Sequence, residues 1–207
     1  NQGKIDEQLF YCDDKNHKNR LLDHILRDAN IDQCIIFTST KAMSEQLADE
    51  LYEKGFAANC LHGDMPQNWR NRTLMDLRKG RIKVLVATDV AARGIDVPSI
   101  THVINYDLPK QAEDYVHRHG LALTFAEVNE YVAVHKIEKY LGRKLPEFTI
   151  EGMEPTRKRS KAPRKAKGGG WKQKGGRKPN GSGKPFGRSA GNPRGKTRKP
   201  AAQGRRA

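Results

Sequence analysis

The run IKVLVAT (Ile82–Thr88) is apolar at every position except Lys83 and Thr88, and it has no alternation of polar and apolar residues. A strand with one wet face alternates. A strand that does not alternate is buried on both faces, which requires helices above and below it and a largely parallel sheet. The flanking sequence supplies those layers. QCIIFTS (Gln33–Ser39) is a second β-branched and aromatic run, and HVINY (His102–Tyr106) a third. AANCLHG and LALTF (Leu121–Phe125) bring the expected strands to five. Between them, Lys41–Lys54 carries Met43, Leu47 and Leu51 at four-residue spacing and meets Gly55 as a helix stop. Asp64 and Gln67 have capping-box spacing and predict the start of a helix through Leu74 and Leu77 to Gly80. A last helix is predicted from Val128 to Leu141. The fold class is therefore α/β, with a parallel sheet flanked by helices on both faces.

In such sheets ligands bind outside the carboxyl ends of the strands. Ser39-Thr40, His62-Gly63, Thr88 through Asp96 and Asp107-Leu108-Pro109 each follow a predicted strand and belong on that edge. ATDVAARGID (Ala87–Asp96) combines a hydroxyl, a glycine, an arginine and two carboxylates. Thr88 can offer a phosphate its hydroxyl and backbone N–H. Gly94 lets a ligand approach the backbone, and Asp96 is placed to accept from a ribose hydroxyl. On the residues alone, a solvated polar loop remains the alternative.

Charge divides the chain. Of 39 Lys and Arg against 24 Asp and Glu, 19 basic residues and one acid fall after Gly152. Residues 1–152 are thus near neutral, while 153–207 form a strongly cationic tail. From Thr156 onward the tail is Lys, Arg, Gly, Pro, Ser and Asn. Ordering it would cost about 1–2 kcal/mol per residue in backbone entropy with nothing buried in return, so disorder is expected. Its tail Lys and Arg, interleaved with Trp171 and Phe186, suit RNA better than a membrane; a solubilising extension is the alternative. Cys12, Cys34 and Cys60 form no CxxC pair, which argues against a zinc or redox motif and for buried free thiols in a reducing compartment. There is no signal peptide and no spanning apolar run, so a cytoplasmic protein is expected, with no membrane partner, no metal ligand set and no case for an oligomer beyond a monomer.

IIFTST, LHGDMPQNWR, VLVATDVAARGIDV and YDLP, in this order and spacing, resemble the second RecA-like domain of DEAD-box ATP-dependent RNA helicases over roughly residues 1–150. The basic tail is similar to that of the bacterial RhlE-like branch. The resemblance implies that Thr40, Gly63, Gln67 with Arg70, and Thr88 contact the RNA sugar–phosphate backbone, giving sequence-tolerant binding. For Arg70 a plain surface arginine is the alternative. Asp96 would hold the ATP ribose, with Arg93 and Gly94 shaping its loop, and Asp89 would serve the loop's own hydrogen bonds.

The resemblance also implies an H-R-x-G-R-x-G-R motif, of which His117, Arg118 and Gly120 match. The two arginines due at 121 and 124 are Leu121 and Thr124. Arginines of that kind stabilise the γ-phosphate, and losing one costs about 10³–10⁵ in rate. YVHRHGLALTF reads as both flanks of that motif with its middle excised. The P-loop and D-E-A-D carboxylates that would bring ATP with Mg²⁺ are absent from this sequence. GNPRGKT (Gly191–Thr197) has one residue too few between its glycines, and no predicted strand or helix beside it. The expectation is the C-terminal half of a helicase, inactive alone, whose partners are RNA and its own N-terminal RecA-like domain. A non-enzymatic RNA-binding or annealing protein acting through the tail is the alternative, and a DNA helicase half a third reading.

Overall fold

The computed structural model describes residues 6–28, 31–116 and 121–158. All belong to one unit, Asn1–Arg164. The expected disorder of the tail falls, beyond Lys158, outside the described residues, as do Trp171, Phe186, His117, Arg118 and the GNPRGKT segment.

Six strands form one sheet: β1 (Glu7–Cys12), β2 (Cys34–Thr38), β3 (Ala58–Leu61), β4 (Val84–Thr88), β5 (His102–Asn105) and β6 (Leu121–Glu127). Their spatial order is β1-β6-β5-β2-β4-β3, and every pairing is parallel. The architecture is the parallel α/β sheet that the apolar runs predict, and it fits the RecA-like fold that the resemblance implies. Helices α1 (Lys15–Leu26), α2 (Lys41–Glu53), α3 (Gln67–Arg78), α4 (Asp89–Ala92), α5 (Ala112–Val116) and α6 (Tyr131–Leu141) connect and cover it.

Successive residues of the central strands enter opposite cores, as the two-residue strand period requires. Cys34, Ile36, Val84 and Val86 pack with Leu21, Leu22 and Ile25 of α1 and Leu47 and Leu51 of α2. Ile35, Phe37, Leu85 and Ala87 pack on the other face with Leu61, Leu77 and Ile82. A third cluster joins Leu9, Ala126, Val134, Ile137 and Leu145 beneath α6.

Several details differ from the sequence reading, beginning with a sixth strand, β1, where the apolar runs predict five. The structure adds α1 as a full helix, because its buried stripe begins with His17 and Lys18 rather than aliphatic residues. The predicted capping box at Asp64 and Gln67 does not form. Pro66 occupies the N-cap without a side-chain bond, Asp64 is held by Lys41 Nζ at 2.7 Å, and Gln67 donates to Asn71 instead. The last helix is divided into a 3-10 turn at Val128–Glu130 and α6, with Glu127 and Glu130 forming the capping box there. Cys60 is only half-buried, since β3 is an edge strand, whereas Cys12 and Cys34 are buried.

Met153 to Arg157 lie against this body. Asp13 Oδ2 accepts from the Thr156 N–H at 2.9 Å and its hydroxyl at 2.8 Å, and Asp13 Oδ1 accepts from the Arg157 N–H at 2.7 Å. His17 Nδ1 accepts from the Asp13 N–H, so Nε2 carries the proton and donates to the Met153 carbonyl at 2.7 Å.

Candidate functional site

After β4 the chain crosses β2 to reach β5 on its other side. This reversal leaves a crevice at the carboxyl ends flanking β2. A cleft of about 520 Å³ opens there, lined by Phe37 of β2, Asp89, Ala92, Arg93 and Gly94 after β4, and Glu113 and Asp114 of α5. Gly94 adopts φ +77°, and a Cβ there would meet no atom within 4 Å. The glycine is thus required by backbone conformation rather than by crowding. Arg93 donates to Asp114 Oδ1 at 2.8 Å, which anchors the loop to α5. Asp96 lies farther along the same loop, exposed and without a hydrogen bond among the described residues.

The lining chemistry is asymmetric. Asp89, Glu113 and Asp114 face a single guanidinium, Arg93. Carboxylates accept from sugar hydroxyls and repel phosphate, so the cleft suits the ribose end of a nucleotide. Among the described residues, no group of three or more His, Cys, Asp or Glu is arranged to hold a metal ion.

The expected RNA-contacting residues occupy the same edge toward β3. Thr40 caps α2, its hydroxyl accepting from the Met43 N–H at 3.1 Å while its own proton stays available to donate. Gly63 and Asp64 are set by His62, whose Nδ1 accepts from the Asp64 N–H. The ring's other nitrogen, Nε2, therefore donates to Glu45 at 2.6 Å. Arg70 reaches Gln67 only at 3.5 Å, and its buried Nε has no partner. Thr88 stands at the N-cap of α4 with its hydroxyl unused by the helix.

The helicase conserved C-terminal domain family matches residues 17–123. The chain belongs to this family. Its relatives place the domain among DEAD-box RNA helicases. The ATP-dependent RNA helicase SrmB of Escherichia coli K12 is 34% identical over 161 residues, covering 73% of this chain and 36% of its own length. RhlB of Pseudoalteromonas atlantica is 40% identical over 152 residues, covering 69% and 36%. This chain therefore spans little more than a third of those curated relatives. Among solved structures, the E. coli DEAD-box protein SrmB bound to RraA superposes with a TM-score of 0.72 at 33% identity, covering 78% of this chain and all of that one. Dbp5 of S. cerevisiae bound to RNA and ADP BeF3 gives 0.64 at 31%, covering 70% and 41%.

Within the helicase domain, positions 121 and 124 fall in β6, between β1 and β5. Thr124 is fully buried, accepting from Asn105 Nδ2 at 3.0 Å. Neither position can present a side chain at the cleft in the manner of an arginine finger.

Reading the sequence did not identify Lys18, Glu113 or Asp114 as residues of this edge. Lys18 Nζ, although buried, sits 3.3 Å from Asp107 Oδ1 and 4.0 Å from Glu127. Asp107 Oδ2 accepts from the Ser39 N–H at 2.8 Å, so the three groups bind the ends of β2, β5 and β6 together. Lys18, Glu113 and Asp114 all lie inside helices, several residues from any strand end, so the rule that places ligands at strand ends does not reach them.

Proposed function

We propose that this chain is the second RecA-like half of an ATP-dependent RNA helicase of the RhlE-like branch, the basic tail being what favours that branch. One observation carries the reading: a nucleotide-sized cleft lined by Arg93 and Gly94 shares a sheet edge with Thr40, Gly63, Arg70 and Thr88. Asp96 takes the ribose, and the cations for the triphosphate come with Mg²⁺ and a first RecA-like domain. Closure of the two domains over ATP and RNA strains one strand and opens a short duplex locally. RNA binding is sequence-tolerant because its contacts are to sugar and phosphate. The tail of residues 153–207 supplies further electrostatic affinity, and the protein works in the cytoplasm as a monomer.

The test is reconstitution. The chain alone should hydrolyse no ATP, and a separately made first domain should restore RNA-stimulated hydrolysis. A linked hydrolysis rate above background from the chain alone refutes the division of labour.

The burial of Thr124 favours a second reading, a non-enzymatic RNA-binding or annealing protein, since no arginine finger stands at 121 or 124. The mass of the Asp114–Glu127 peptide from protein purified from its source separates the two. A mass matching DYVHRHGLALTFAE favours the second reading, and a heavier, Gly-Arg-containing peptide the first.

A further inference from the structure

Helix α3 carries a feature that backbone contacts do not explain. Trp69 is 64% exposed, only two residues beyond Gln67 and next to Arg70. At about 100° of rotation per residue, Trp69 projects roughly 200° from Gln67 and 100° from Arg70, on the exposed flank of α3 that it shares with Arg72 at i+3. Leaving an indole in water forgoes the burial of one of the largest apolar side chains, and α3 has buried positions for only Thr73 and Leu77.

The surroundings select an anionic, aromatic ligand. The first turn of α3 has no acidic residue and no side-chain cap, so its free N–H groups leave positive potential there. Arg72, one turn beyond Trp69, is exposed and makes no hydrogen bond or ion pair among the described residues. Arg70 keeps an unpartnered buried Nε. An indole beside the exposed Arg72, with Arg70 held through its terminal nitrogen only by Gln67 at 3.5 Å, is the combination that holds single-stranded nucleic acid: guanidinium groups on phosphate and the ring against a base.

We propose that Trp69 is a stacking platform for one unpaired base of the RNA strand whose backbone Gln67 and Arg70 hold. This inference rests on the RNA reading of α3 given above. It adds a base contact without base selectivity, because every base offers a π-face, and it favours a strand already unstacked over one in a duplex.

The sequence contains two tryptophans, Trp69 and Trp171, so Trp171→Phe in the full chain leaves Trp69 as the sole indole reporter. Titration with a short oligouridylate should quench its emission saturably, while an abasic strand of equal length leaves it unchanged. Trp69→Ala should lower the affinity ratio of oligouridylate to abasic strand by about 5-fold or more, and Trp69→Phe should preserve most of it. If Trp69 emission ignores RNA while Arg70→Ala still weakens binding, stacking is refuted and the backbone reading stands. If neither Arg70→Ala nor Trp69→Ala alters RNA binding, the RNA reading of α3 falls and takes stacking with it. Emission that responds to a first RecA-like domain but not to RNA makes Trp69 a protein-docking residue and overturns the proposal.

Discussion

Lys18 Nζ and Asp107 Oδ1 meet at 3.3 Å, and through this pair α1 is fastened to the carboxyl end of β5. Tyr106 contributes its ring face, 5.2 Å from the ammonium. Asp107→Ala would leave a buried lysine facing only Glu127, at 4.0 Å, and would orphan the Ser39 N–H. Breaking a buried pair from one side costs about 3–5 kcal/mol, and the partial exposure of Asp107 places this case near the lower end. Urea denaturation should show the loss, and Asp107→Asn should recover part of it by still accepting from Ser39.

Gln33 is a buried polar hub and should be costly to replace. Its Nε2 donates to the carbonyls of Leu77 at 2.7 Å and Ile82 at 2.8 Å, and its Oε1 accepts from the Ser99 hydroxyl. It closes the segment between α3 and β4 against the start of β2. Gln33→Leu preserves bulk but strands the Ile82 carbonyl, at about 1–3 kcal/mol, while the Leu77 carbonyl keeps the Gly80 N–H at 3.0 Å. Ser99→Ala removes one donor and should cost less. Thermal or chemical denaturation of both variants checks the order.

These two residues show where sequence reading stops. The central strands were legible because burial on both faces writes itself as an uninterrupted apolar run, as in Val84–Ala87. The carboxyl-edge loops were legible because strand direction alone places them. Helix α1 was hidden because two of the six residues of its buried stripe are His17 and Lys18, which local periodicity scores as surface. The ion pairs and the cleft wall from α5 depend on partners dozens of residues away. No spacing rule links Lys18 to Asp107, or Arg93 to Asp114.

The three thiols should react in a fixed order. Burial pushes Cys12 and Cys34 up to about 12, whereas Cys60 is raised by burial, Glu45 and Asp49 but lies on the half-covered edge strand. Thiolate is the reactive form, so iodoacetamide at mildly alkaline pH should label Cys60 first. Cys12 and Cys34 should label only on unfolding. Peptide mass mapping over time reads the order, and early labelling of Cys34 would contradict its burial beneath α1 and α2.

Gly94→Ala tests the cleft loop without changing its charge. The added Cβ meets no neighbour, so the cost is that of holding an L-residue at φ +77°, about 1–2 kcal/mol. The loop has two ways to respond: bear the strain or abandon the conformation that presents Arg93. Little loss of global stability with weakened nucleotide binding in the reconstituted pair indicates the second. Gly94→Asn, whose side chain tolerates the left-handed region better, should be milder on both counts.

The last expectation concerns acid and the strap that ends the folded body. Partial burial would raise the Asp13 carboxyl, but the N–H groups of Arg157 and Thr156 and the Thr156 hydroxyl outweigh it and hold the group down at about 2. A carboxyl depressed in the folded state contributes stability above its unfolded value, near 4, and loses that contribution as pH falls from there toward 2. The strap should therefore be fully fastened at neutral pH and loosen progressively across that window. Asp13→Ala should mimic the acid state at pH 7, where trypsin can report it as faster cleavage of the Arg157–Lys158 bond. Asp13→Asn, which can still accept from one or two of the donors, should fall between. Cleavage equally fast in wild type and Asp13→Ala would mean that Asp13 does not restrain the segment from which the basic tail departs.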